Sequence, residues 1–158
     1  MRARSRGRLV AAPSARAAAG VRVRVEPGSR VILGPGVVLG PGSRLDAVGG
    51  VIRVGAEAVV GERAVIVAHA GVEIGPRARI GDWAALNDAA PTWDDVETPL
   101  REQPLRHAPI TVGAAAVLGP HAALGPGATI APGEQVAPYA VVPAPPVARV
   151  RRAATRRS

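Results

Sequence analysis

The chain contains no cysteine, no lysine and no phenylalanine, and its only aromatic residues are two Trp and one Tyr. Without cysteine, disulfides, thiolate zinc sites and a cysteine nucleophile are all excluded. The shortage of aromatics removes the stacking surface expected of a nucleic-acid binder. Long apolar runs are missing too. Gly, Pro or a charge interrupts every stretch before the ~18 residues of a membrane helix, so no membrane partner is expected. A secretory signal needs an apolar stretch of ~7–15 residues, and Leu9-Val10-Ala11-Ala12 is too short.

Charge is plentiful but unevenly placed. The 158 residues carry a net charge of +8, and every basic residue is Arg. Residues 1–30 hold eight Arg against one Glu, and residues 149–158 hold five Arg and no acid. The middle, 31–148, has seven Arg against eleven acids and is acidic. The basic excess therefore belongs to the two ends, which argues against nucleic acid as a partner. Residues 1–20 lack a sustained apolar pattern and read as a disordered Arg/Ala-rich segment or a transit peptide. Residues 149–158 read as a basic tail, leaving 21–148 as one domain.

What the chain has is a hexad. It reads Leu33-Gly-Pro-Gly, Leu39-Gly-Pro-Gly, Leu118-Gly-Pro-His, Leu124-Gly-Pro-Gly and Ile130-Ala-Pro-Gly. The aliphatic position can be followed through Leu33, Leu39 and Leu45, then after an offset through Val54, Val60 and Ile66. A second offset leads to Ile74, Ile80 and Leu86, and a last run covers Val112, Leu118, Leu124, Ile130, Val136 and Val142. A period of six fits neither an amphipathic helix nor one long strand. An aliphatic residue at every sixth position points inward only if the chain turns once per hexad. Pro-Gly supplies that turn, Pro setting φ near −65° and Gly accepting positive φ. Short strands joined by such corners make coils, and coils that lack a core of their own are stable only when stacked.

This pattern resembles the hexapeptide-repeat acyltransferases. The resemblance implies an all-β fold, a left-handed parallel β-helix of about five coils with three hexads to a coil. Between Leu86 and Val112 the hexads stop, and residues 87–109 form an extruded loop dense in polar groups. Loop and tail together are closest to the maltose, galactoside and xenobiotic O-acetyltransferase branch. The matching segments are Thr92-Trp93-Asp94-Asp95, Pro99-Leu100-Arg101-Glu102-Gln103-Pro104, and the Pro138-Tyr139-Ala-Val-Val-Pro tail. That branch implies a cytoplasmic homotrimer using acetyl-CoA as acyl donor and a hydroxyl of a sugar or small molecule as acceptor. It places Trp93, Asp94, Asp95, Arg101 and Gln103 in the acceptor loop. It also implies a donor site along small residues such as Ala115, Ala123 and Ala128, with Arg149 on a CoA phosphate.

The departure is at the base. The family's catalytic His aligns with Pro91, which can neither take nor give a proton, and the family's Trp in the return from the loop is Val117 here. A replacement base needs a pKa near working pH and reach to the hydroxyl. His107, at the far end of the loop, and His69, on a neighbouring coil, are the candidates, while His121 sits at a corner position and reads as structural. Without a base, the chain would be a catalytically silent scaffold or regulatory protein. The separations of the three His, 38 and 14 residues, offer no close pair for zinc, so no metal is expected.

Overall fold

A computed structural model describes residues 2–5, 8–91, 97, 99 and 105–143. Among these residues there is no helix, and all but one pair of strands lie in three parallel sheets visited in strict rotation. The first sheet holds β1 (Arg2–Ser5), β4 (Arg22–Val25), β7 (Arg44–Ala47), β10 (Val65–Ala68), β13 (Ala85–Asn87), β18 (Ala123–Leu124) and β21 (Val141–Val142). The second holds β2 (Arg8–Ala11), β5 (Arg30–Leu33), β8 (Val51–Val54), β11 (Gly71–Ile74), β16 (Ile110–Val112) and β19 (Thr129–Ile130). The third holds β3 (Arg16–Ala17), β6 (Val38–Leu39), β9 (Val59–Val60), β12 (Arg79–Ile80), β17 (Val117–Leu118) and β20 (Gln135–Val136). The result is a parallel β-solenoid of about six turns, with β21 opening another.

The hexad residues do what their spacing predicts. Leu39, Leu45, Val60, Ile66, Leu86, Leu118 and Ile130 are all buried, and they stack from coil to coil into one continuous core. Backbone N–H groups bond across coils even at the corners, as from Gly34 to the Val54 carbonyl (2.9 Å) and from Gly40 to the Val60 carbonyl (2.7 Å). Hydrogen bonding between coils therefore hardly stops where the chain turns, which satisfies the polar backbone of a fold with little else to do so. The Pro-Gly corners take positive φ, 70° at Gly36 and 69° at Gly42.

Two expectations need correction. The described residues 2–5 and 8–17 are not a disordered segment: β1, β2 and β3 form a first coil, in register with the second from Arg2↔Arg22 to Ala17↔Leu39. The solenoid accordingly begins before residue 21 and has about six turns, not five. The reason is that cross-coil pairing is made by the backbone. Leu9 and Ala15 pack against the core only in part, so the first coil keeps its ladder with a weak apolar pattern. That weakness hid it in the sequence.

The offsets in the hexad all fall at one corner, between the first and second sheets. Val48-Gly49-Gly50 separates β7 from β8, and His69-Ala70 separates β10 from β11. The long interruption leaves from this corner too, between β13 and β16. The other two corners keep their hexad spacing. Variation in length is thus confined to one edge of the solenoid.

Candidate functional site

At this variable corner the loop leaves and returns as an antiparallel pair, β14 (Ala89–Pro91) with β15 (Leu105–His107). Ala89 faces His107 at its base and Pro91 faces Leu105 further out. Pro91 therefore holds a place in a strand arm, two register positions from His107. Its lack of an N–H is tolerated in a pair that has no third strand among the described residues.

His69 and His107 meet. Their ring centroids are 5.2 Å apart with a 30° tilt. The sequence separation of 38 was expected to keep them apart, but 38 is also the step that pairs Val72 with Ile110 across the loop-bearing coil. The two histidines are thus at matching positions on neighbouring coils, and the argument against a close pair is corrected. Among the described residues no three metal-ligating side chains gather. His107 is exposed, and the His69 side chain is 23% exposed.

Asp88 builds the corner around His69. Its side chain is fully buried, and its carboxylate accepts three backbone N–H groups: His69 on Oδ1 (2.6 Å), and Ala70 and Gly71 on Oδ2 (both 2.7 Å). Its carbonyl accepts the N–H of Ala108 (3.1 Å), the residue after His107. One residue therefore ties both histidine-bearing segments together. Burying a carboxylate is costly unless such donors converge on it. The His69 Nδ1 lies 3.4 Å from Asp88 Oδ1, close enough for an ion pair, yet it makes no hydrogen bond and is itself buried. We read the contact as proximity, because Oδ1 already takes the shorter bond from the His69 amide.

Beside the corner, the outer face of the second sheet carries a shallow groove of about 230 Å³. Its lining includes Val51, Arg53, Gly71, Glu73, Pro109 and Thr111. Gly71 and Pro109 each lie two residues along the chain from one of the histidines. The groove and the histidine pair are thus parts of one edge.

The remaining site predictions divide. Ala115 is exposed at the corner between the second and third sheets, Ala123 is half-buried in β18 on the first sheet, and Ala128 is buried in the core. They do not line one groove on this chain, and Ala128 is removed from the donor site because it faces inward. Trp93, Asp94, Asp95, Arg101, Gln103 and Arg149 lie outside the described residues. His121 is structural, as its corner position implied. It has φ 61° and stacks between Trp83 (6.1 Å, 1°) and Tyr139 (4.8 Å, 4°), while the Arg63 guanidinium lies over the Trp83 ring. Asp88, Arg53 and Glu73 had no signal of their own. Only the identity of the cross-coil step, 38 for both the histidines and the strands, could have revealed the corner.

An aliphatic residue at every sixth position, pointing into a three-sheet parallel solenoid, decides the architecture. This is a hexapeptide-repeat β-solenoid. No family model and no curated protein matches the chain. Among solved structures, one similar chain is a hexapeptide transferase family protein from Anaplasma phagocytophilum, at 16% identity and a TM-score of 0.47. That likeness covers 84% of this chain and 68% of the other. Another is the CcmM N-terminal domain in complex with CcmN, at 23% identity and a TM-score of 0.36, covering 89% of this chain and 96% of that one.

Proposed function

We propose that the protein is an acyltransferase, an acetyl-CoA-dependent O-acetyltransferase acting on a hydroxyl of a sugar or small molecule, and that it works as a cytoplasmic homotrimer. The observation that supports this reading is the meeting of His69 and His107 at the base of the loop, beside a surface groove. In the related enzymes the base comes from the position held here by Pro91. In this chain, one coil step brings two imidazoles to the same corner instead.

The residues have distinct tasks. His107, the exposed member of the pair, takes the proton of the acceptor hydroxyl and so makes its oxygen nucleophilic. His69 lies against it, and the Asp88 carboxylate fixes the backbone turn that carries His69. Acetyl-CoA, when bound, supplies the acyl group as a thioester. Ala115 and Ala123 are small and not buried but lie on different faces of the chain, so they would flank one pantetheine arm only across a boundary between protomers, and Ala128 faces inward.

The test is release of free CoA thiol from acetyl-CoA across a panel of sugars and small alcohols. Wild-type turnover is expected, with His107→Ala slowing it about 10²–10⁴-fold, the range for loss of a general base. The assignment of the base fails if His107→Ala turns over like wild type. If wild type releases no CoA on any acceptor, the transferase reading fails. The proline in the loop arm then marks a catalytically silent scaffold.

A further inference from the structure

The groove on the second sheet has a chemistry of its own. Arg53 in β8 and Glu73 in β11 are direct cross-strand partners, both point outward, and both are exposed. Opposite charges at facing positions attract each other modestly. Here neither side chain takes part in an ion pair or hydrogen bond among the described residues. The next position along the same row is Thr111, a residue that is exposed as well. A free guanidinium, a free carboxylate and a hydroxyl thus stand in line across three strands.

The floor between them is open. A Cβ added at Gly71 would meet nothing nearer than the Val51 carbonyl at 3.6 Å, so the position is not glycine for want of room. Val51 and Pro109 give the floor an apolar surface of limited extent. At about 230 Å³ the groove is smaller than the ~300–1,000 Å³ of drug-sized pockets, which suits one sugar ring and not a chain of them.

We propose that this groove is the acceptor subsite and that it selects an acidic sugar, a polyol ring bearing a carboxylate. The inference rests on the transferase reading above. The Arg53 fork takes the sugar carboxylate through two parallel N–H···O bonds, a geometry that a lysine does not reproduce. Glu73 accepts from ring hydroxyls, Thr111 adds a hydroxyl contact, and the apolar floor meets the ring's C–H face. A neutral sugar leaves the guanidinium without its partner, and a site built around a polar contact discriminates against ligands lacking it.

The experiment is binding without any acyl donor, so that it does not depend on turnover. Glucuronate and glucose are titrated into the full chain, followed by calorimetry or ligand-observed NMR. Glucuronate is expected to bind at least tenfold more tightly than glucose. Arg53→Ala should bring glucuronate down to the glucose level and Arg53→Lys should recover only part of the difference. Glu73→Gln should weaken both sugars alike. Gly71→Ala should fill the floor and weaken both, with an unchanged melting temperature. Equal affinity for the two sugars, or a glucuronate preference that survives Arg53→Ala, overturns the proposal. If glucuronate binds as described while no CoA is released, the transferase reading falls and the acidic-sugar site stands.

Discussion

Replacing Asp88 by Ala tests the corner most directly. The carboxylate takes three backbone N–H groups within 2.7 Å and is fully buried. Hydrogen bonds to charged groups contribute about 1.5–3 kcal/mol each, so three set an upper bound of roughly 5–9 kcal/mol. Water recovers some of this. Ala70 is exposed, His69 and Gly71 are half-buried, and their amides can reach solvent once the side chain is gone. We therefore expect a loss of about 3–5 kcal/mol, a large share of the ~5–15 kcal/mol that holds a typical domain. Asp88→Asn should cost less. Turned so that its carbonyl faces Ala70 and Gly71, the amide keeps two bonds and sets its NH2 against the His69 N–H. About 1.5–3 kcal/mol is expected there. Urea unfolding followed by circular dichroism gives the totals. A solenoid can lose coils piecemeal, so amide exchange at residues 69–71 and 108 supplies the local reading. Stability within 1 kcal/mol of wild type for the Ala variant, with unchanged exchange at residues 69–71, would refute the account of Asp88 as the corner's clamp.

Other substitutions follow from packing between coils. A Cβ at Gly81 would lie 2.5 Å from the Leu118 carbonyl oxygen and 2.6 Å from the Gly119 carbonyl carbon, both backbone atoms. Gly81→Ala should therefore lower the melting midpoint sharply, by more than Gly71→Ala, whose added methyl has room; equal midpoints for the two would count against this packing. At His121 the left-handed backbone costs about 1–2 kcal/mol for a non-glycine residue, while each ring contact returns about 0.5–1.5 kcal/mol. His121→Ala loses the contacts and keeps the strain, whereas His121→Gly loses both. Urea unfolding should rank glycine about 1 kcal/mol above alanine there, and the reverse order would show that the left-handed backbone at this position is not strained. Ile66→Ala, at a fully buried hexad position, should cost about 2–5 kcal/mol by the same measurement, and a loss below 1 kcal/mol would contradict a packed interior.

The architecture was legible because it depends on local chemistry repeated many times. Six-residue spacing of Leu, Ile and Val, with Pro-Gly at the turns, dictates which side chains point inward and where the chain bends, and the buried residues Leu39, Leu118 and Ile130 match that pattern. The break at residues 87–109 and the structural character of His121 could be read the same way. The first coil could not, since its arginines and alanines carry little apolar signal and its pairing is made by the backbone.

The candidate site belongs to the tertiary structure. Whether two residues 38 apart are neighbours depends on how many of the intervening ones the coil absorbs and how many it extrudes. Only the cross-coil hydrogen bonds settle that count, pairing Val72 with Ile110 and so His69 with His107. The three-donor cradle of Asp88 and the facing of Arg53 by Glu73 arise in the same way, between residues distant in sequence and set side by side by register. By itself, the sequence determined the solenoid, its inward face and the place where the repeat breaks. Register between the coils decided which polar side chains meet at that break.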